Sequence, residues 1–222
     1  MGNLTIVGVG PGAPDYVIPV ARRAIQSAQV VIGSERSLSL FRDEIQGEIL
    51  TLTGKNVDEL LKYAQEAAKG KKVVLLSAGD PGFSGLLGSV LDRVDGKAEV
   101  TVIPGISSIQ VCAARLGMCW EDAALFTFHN GVDENKKEEL FKAVEWGKDV
   151  FLLPEPKTFR AADVAGFLIE KGIDKTAKIV VCENLTLKDE KIVETTLEEA
   201  AHQSFSPLCV IVIPRRNATM SK

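Results

Sequence analysis

Histidine is nearly absent from this 222-residue chain, cysteine is sparse and aromatics are few: two His, four Cys and 6% Phe, Trp and Tyr. Cys112, Cys119, Cys182 and Cys209 show no CxxC spacing, and His129 and His202 stand far apart. Structural zinc and iron–sulfur sites need tighter ligand clusters, so no metal site is expected. Cys112, Cys182 and Cys209 lie in apolar surroundings and read as small core residues. A basic excess is missing as well. With 26 Lys and Arg against 30 Asp and Glu, the net charge is −4, which argues against a general nucleic-acid binder but leaves room for a local basic patch facing an anionic ligand. No apolar run reaches the roughly 18–20 residues that span a bilayer. The beginning of the chain lacks the charged and apolar regions of a secretory leader, so a cytoplasmic protein is expected. Asn217-Ala218-Thr219 matches the glycosylation pattern, which has no meaning in that compartment.

What is present is an ordinary globular composition, 45% hydrophobic and 25% charged, arranged as alternating strands and helices. Strands are expected at 4–9, 28–33, 49–52, 73–76, 99–103, 123–128, 149–153, 177–181, 191–194 and 208–213. Helices are expected at 19–27, 57–69, 83–94, 109–116, 134–146, 157–171 and 197–202. Repeated alternation implies α/β architecture with mainly parallel or mixed sheets covered on both faces. The pattern restarts after Gly117, which places a domain boundary there: 1–117 and 118–222. No internal repeat or low-complexity segment interrupts it, and the tail from Arg215 is polar and expected to be loose.

The best-marked loop is Gly79-Asp80-Pro81-Gly82-Phe83-Ser84-Gly85, which follows the apolar run 73–76. In open α/β sheets, ligands sit outside the carboxyl ends of strands. Glycines there let a ligand approach the backbone, and Asp80 supplies fixed negative charge or caps the following helix. Gly8, Gly10 and Ala13 fit the dinucleotide pattern formally, and Glu35 stands where a ribose-binding acid would, so an NAD-linked oxidoreductase is one alternative. The mechanism fits poorly, because Pro11 and Pro14 remove N–H donors and a helix with Pro19 in its first turn begins too late. In Pro104-Gly105-Ile106-Ser107-Ser108 the hydroxyls read as helix caps or as ligand contacts. His129, at the end of a strand, is the candidate for proton handling, and the sequence offers no convincing general base.

Taken in order, the loops at Gly8 to Gly12, Gly79-Asp80-Pro81, Pro104 to Ser108 and Glu183-Asn184-Leu185 resemble those of the tetrapyrrole methylases, a family of S-adenosylmethionine-dependent enzymes. The likeness covers about 4–213. It implies two α/β domains with S-adenosylmethionine in the cleft between them. It implies cofactor contacts from Ala78, Gly79, Asp80, Phe83, Ser107 and Ser108, with Asp80 facing the charged amino or sulfonium end. From the second domain it implies Leu153, Asn184, Pro207 and Leu208 on the adenosine side. Gly10, Pro11 and Gly12 would face the tetrapyrrole, and Arg36 its carboxylates, with Lys157 and Arg160 as further cationic candidates.

The segment Val181-Cys182-Glu183-Asn184-Leu185-Thr186 leading to Asp189-Glu190-Lys191-Ile192 looks like the subgroup that methylates ring carbon C5 of a precorrin or cobalt-precorrin in cobalamin synthesis. That subgroup usually carries His-Gly-Arg where this chain reads His129-Asn130-Gly131, without the arginine. The implied partners are a small-molecule corrin precursor, a separate decarboxylating C15-methyltransferase and a second copy in a homodimer, with neither nucleic acid nor membrane. Family members that act in diphthamide synthesis or on ribosomal RNA are the remaining alternatives.

Overall fold

The computed structural model of the protein describes residues 3–93 and 100–215. The start of the expected strand at Glu99, the helix end near Val94 to Gly96, and the tail past Arg215 with its Asn217-Ala218-Thr219 lie outside the described residues. The chain divides into two compact units, Met1–Ser107 and Ser108–Lys222. The division falls ahead of a helix that the sequence groups with the first half.

The first unit holds β1 (Asn3–Gly8), α1 (Pro19–Gln26), β2 (Val30–Gly33), α2 (Glu35–Leu38), β3 (Glu48–Thr51), α3 (Val57–Ala67), β4 (Lys72–Ser77), α4 (Leu87–Leu91) and β5 (Val100–Ile103). Its five strands form one all-parallel sheet in the order β3-β2-β4-β1-β5. Successive side chains of a strand point to opposite faces, and the near-continuous apolar runs therefore supply two cores at once. Val7, Val31, Val74 and Leu76 meet Ala21, Ile25, Leu38 and Phe41 on one face. Leu4, Ile6, Val30, Ile32, Val73 and Leu75 meet Leu61, Ala64 and Val90 on the other. The chain thus leaves β1 toward α1 on one face and leaves the neighbouring β4 toward α4 on the other. Adjacent strands whose connections part in this way open a crevice at their carboxyl ends.

Two helices are shorter than their apolar spacing suggests. The expected helix at 83–94 narrows to α4. Ahead of it, Ser84 takes a left-handed φ of +57°, and a Cβ on Gly85 would lie 2.6 Å from both the Asp80 carbonyl and Ser77 Oγ. The residues that looked like a first helical turn are folded back over the strand end. Likewise the stretch expected as helix from 157 starts only at Ala161, because Glu155 accepts from the N–H groups of Lys157 and Thr158 and closes a separate turn. In the other direction, Ser34 accepts from the Ser37 N–H and caps a short helix where the sequence showed only a loop.

The second unit holds α5 (Ser108–Leu116), β6 (Ala124–Thr127), α6 (Glu134–Glu145), β7 (Val150–Leu153), α7 (Ala161–Glu170), β8 (Lys178–Glu183), β9 (Lys191–Thr196), α8 (Leu197–Ala200) and β10 (Cys209–Ile213). Its sheet is mixed, in the order β6-β7-β10-β8-β9: β6 and β7 run parallel, and β10 runs antiparallel to both β7 and β8. One core of buried side chains, including Phe128, Leu140, Val164, Leu168 and Ile211, packs helices onto it. Thr196 and Glu199 form a reciprocal capping box that starts α8 directly from β9. Among the described residues, no helix is long and apolar enough to cross a membrane.

Candidate functional site

In the first unit the carboxyl ends of β1, β4 and β5 come together backbone on backbone. Gly79 donates its N–H to the Gly10 carbonyl at 2.8 Å, and the two form an isolated antiparallel bridge. A Cβ on Gly8 would lie 2.4 Å from Gly105 N, and one on Gly105 would lie 2.2 Å from the Gly79 carbonyl oxygen. No side chain fits there. Gly79 itself, at φ +63°, is open on its outer side, where a Cβ would meet only Ser107 Cα at 3.8 Å. Its backbone is therefore reachable by a ligand.

Asp80 stands in the middle of this cradle, and the helix-cap reading of it is corrected. α4 begins seven residues later, and Ser77 Oγ receives the Leu86 N–H at 3.1 Å instead. Asp80 Oδ1 accepts from Gly82 N at 2.8 Å, and Oδ2 accepts from Gly105 N at 3.0 Å. Ala78, Gly79, Asp80 and Phe83 thus follow one strand end, and the buried Ser107 follows the next. Ser108 begins α5 and is grouped with the second unit.

Gly10, Pro11 and Gly12 form the loop after β1, and the structure brings Arg36 to it. The guanidinium donates from Nη2 to the Pro11 carbonyl at 3.0 Å. Burial pulls the Arg36 pKa down from its ordinary value. Arg36, expected to meet substrate carboxylates, thus lies against the loop expected to face the tetrapyrrole. Glu35, the would-be ribose acid, is tied to Arg42 instead. α1 starts eleven residues past the end of β1, too late to offer its N-terminus to a pyrophosphate.

In the second unit, the antiparallel placement of β10 sets its amino end beside the carboxyl ends of β7 and β8. Leu153, Asn184, Pro207 and Leu208 consequently share one end of the sheet. Asn184 N donates to the Leu208 carbonyl at 2.9 Å, and Ser206 Oγ donates to Asn184 Oδ1 at 2.8 Å. The buried Glu183 takes the Ser206 N–H. Asn184 (φ +50°) and Thr186 (φ +71°) are both left-handed, a conformation that is uncommon for Asn and an outlier for a β-branched residue. Acidic side chains hold them there. Asn184 Nδ2 donates to Asp189 Oδ2 at 2.8 Å, and Thr186 N donates to Glu190 Oε2 at 2.6 Å. Glu190 Oε1 in turn receives Arg115 Nε at 2.7 Å. That pairing holds the Glu190 carboxyl below the usual carboxylate range.

Sequence reasoning took Asp189 and Glu190 only as marks of a subgroup. Acids four or five residues past Asn184 and Thr186, close enough to accept a local side-chain amide or backbone N–H, are the signal that would have revealed their role.

Beside this end of the sheet lies a cavity of about 490 Å³, lined among others by Pro154, Pro156, Arg160, His202, Phe205 and Pro207. Pro207 is the one residue of the expected cofactor set among those lining it. Arg160 is engaged with Asp163 at 3.0 Å, and Lys157 belongs to the turn closed by Glu155. His129 lies in the turn two residues past the end of β6 and is exposed. Desolvation of its ring lowers the imidazole pKa, and the Glu155 carboxylate pulls it the other way.

Cys112, Cys182 and Cys209 are buried and free, as core residues. The hydrogen bond with Cys182, together with burial, pushes the Cys112 thiol far up, and burial pushes Cys209 up to about 12. Such thiols are not thiolates at neutral pH and are inert as nucleophiles. No group of three metal-binding side chains occurs among the described residues.

An all-parallel sheet with a glycine cradle at its switch point, and a mixed sheet with a clamped strand end, define an α/β protein built to hold a small molecule at its strand ends. The sequence of residues 3–201 matches the family model of the Tetrapyrrole (Corrin/Porphyrin) Methylases, and the chain belongs to that family. It is 40% identical over 208 residues to a probable cobalt-precorrin-7 C(5)-methyltransferase of Methanocaldococcus jannaschii, covering 93% of this chain and 95% of that relative. The crystal structure of a cobalamin biosynthesis precorrin-6Y methylase from Archaeoglobus fulgidus superposes with a TM-score of 0.73 at 26% identity, covering 96% of this chain and 98% of that one. A uroporphyrin-III C-methyltransferase from Thermus thermophilus, crystallised with S-adenosyl homocysteine, shares the fold with a TM-score of 0.73 at 24% identity, covering 96% of this chain and 92% of that one.

Proposed function

We propose that the protein transfers a methyl group from S-adenosylmethionine to ring carbon C5 of a precorrin or cobalt-precorrin in cobalamin biosynthesis. The observation that carries this reading is the likeness, over 95% of its length, to a relative named as a C(5)-methyltransferase of that pathway.

The residues present fit the cofactor. In the first unit, the open outer side of Gly79 and the polar backbone around it suit the amino-acid portion. In the second, the apolar Leu153, Pro207 and Leu208 suit a flat adenosine ring. When bound, the cofactor supplies an already electrophilic sulfonium methyl. The protein's tasks are then to align the acceptor carbon with it and to exclude water.

Gly10, Pro11 and Gly12 present a surface without side-chain bulk to the tetrapyrrole. Arg36, fixed on the Pro11 carbonyl, has guanidinium donors left to hold a substrate carboxylate. His129, just past the end of β6, is the candidate for proton handling, with desolvation lowering its pKa and the Glu155 carboxylate opposing that. The four free cysteines accord with a cytoplasmic protein. The reading also takes a homodimer and a separate decarboxylating C15-methyltransferase as partners.

The test is incubation of the purified protein with isotope-labelled S-adenosylmethionine and a panel of precorrin and cobalt-precorrin intermediates. One added methyl located at C5 by NMR supports the reading. Methylation at another carbon, or none across the panel, overturns it.

A further inference from the structure

We infer that Asp80 is a positioning residue: its carboxylate shapes the cofactor cradle by tying the loop after β4 to the loop after β5, rather than by facing the positive charges of the cofactor. The inference rests on the reading that this crevice holds S-adenosylmethionine.

Three observations carry it. Each oxygen of the Asp80 carboxylate already receives a backbone N–H, Gly82 on its own loop and Gly105 on the neighbouring one. Gly105 packs against Gly8 and Gly79 too closely for any side chain to lock it in place, so the bond from Asp80 is a directed tie on that loop. Gly79, the open and ligand-accessible residue, lies immediately before Asp80. Its left-handed turn and its bond to Gly10 place its backbone in register with both neighbours. Both carboxylate oxygens are committed to loop amides before any ligand binds, so losing them loosens the surface the ligand rests on whatever the ligand's charge. Charge-assisted bonds to backbone N–H groups are among the stronger single ties available to a loop.

Asn is the informative replacement. Its amide oxygen serves one N–H, while its NH2 group faces the other donor. Asp80→Asn and Asp80→Ala are therefore compared with wild type by calorimetry against three ligands: S-adenosylmethionine, S-adenosylhomocysteine, which lacks the sulfonium charge, and the desamino analogue of S-adenosylhomocysteine, which lacks the ammonium as well. A brace predicts that all three lose affinity by a common factor, roughly ten- to hundredfold. KM for S-adenosylmethionine rises and kcat is recovered at saturating cofactor, the pattern of lost uniform binding. A counter-ion role predicts losses that shrink stepwise along the series and vanish for the desamino analogue, which carries no positive charge, and that result overturns the inference.

A second measurement needs no variant. In wild-type protein without ligand, the Gly82 and Gly105 amides must exchange slowly with solvent deuterium, and fast exchange at either overturns the brace. If wild type binds none of the three ligands, the proposed function fails while the exchange experiment still decides the brace.

Discussion

The strand-end loops of the two units are held by opposite means. In the first unit, the chain turns through glycine, at Gly10 (φ +79°) and Gly79 (φ +63°), and backbone packs directly on backbone. In the second, it turns through Asn184, which tolerates a left-handed conformation, and Thr186, which resists one, and side chains hold them there: Asp189, Glu190 and Ser206. A left-handed residue other than glycine costs of order 1–3 kcal/mol. The first arrangement rests on close backbone approach that leaves no room for a Cβ, with the Asp80 carboxylate tying two of its loops; the second is made by side chains throughout. The first should therefore fail when atoms are added and the second when they are removed.

The largest effect is expected from Gly105→Ala. Its new methyl group would meet the Gly79 carbonyl oxygen at 2.2 Å and Gly8 carbons at 2.7 Å, all rigid backbone. Overpacking of this kind costs about 3 kcal/mol or more, read as a lowered urea midpoint for the first unit. Gly79→Ala is the internal control. Its methyl group finds open space, leaving only the left-handed cost of about 1–2 kcal/mol. Equal losses in the two variants would break the claim that close backbone approach governs this unit.

The next effect concerns Glu190. Glu190→Ala removes the carboxylate that accepts the Thr186 N–H and pairs with Arg115, with an expected loss of about 1–2 kcal/mol. Because Arg115 is partly exposed, most of that loss belongs to the backbone bond. Thr186→Gly in the same background should recover much of it, since glycine needs no clamp at φ +71°. Absence of recovery would mean that the clamp does not serve the strained residue.

The pH dependence follows with its sign. The folded carboxyl of Glu190 is held below its ordinary value, first by the bond from Arg115. The unfolded chain therefore takes up the proton at higher pH than the folded one. The stabilisation is present above the ordinary carboxylate range and is lost as pH falls through the depressed value. Urea midpoints measured from pH 6 to pH 3 should fall less steeply in Glu190→Gln.

This contrast also decides what could be read in advance. The close-packed loops of the first unit were legible because glycine and proline at strand ends are visible in a sequence, and their meaning is local. The doubly covered sheet was legible for the same reason, from short continuous apolar runs such as 73–76 alternating along the chain with helical spacing. What escaped was long-range or side-chain made. Asp80 reaches an amide 25 residues away, so it read only as a ligand-facing charge or a cap. Arg36 reaches Pro11 across the same separation, and only a family resemblance suggested their company. Helices at 83 and 157 were overextended because apolar spacing does not reveal that Ser77 and Glu155 claim the first N–H groups for turns.

The smallest expected effect extends the comparison to a third acid of the second unit. Glu155 accepts from Lys157 N at 2.8 Å and Thr158 Oγ1 at 2.8 Å, and also from Thr158 N. It thus holds its turn by side chain, as Asp189 and Glu190 hold theirs. The same carboxylate raises the pKa of His129 against the desolvation that lowers it. Glu155→Gln keeps an acceptor for the turn but removes the charge, so the two roles separate. The turn should persist, while the His129 ring, followed by NMR titration, should deprotonate at a lower pH than in wild type. An unchanged titration would show that desolvation alone sets the imidazole. A collapsed turn would show that the amide cannot stand in for the carboxylate, and that charge, not merely an acceptor, is what the loops of the second unit require.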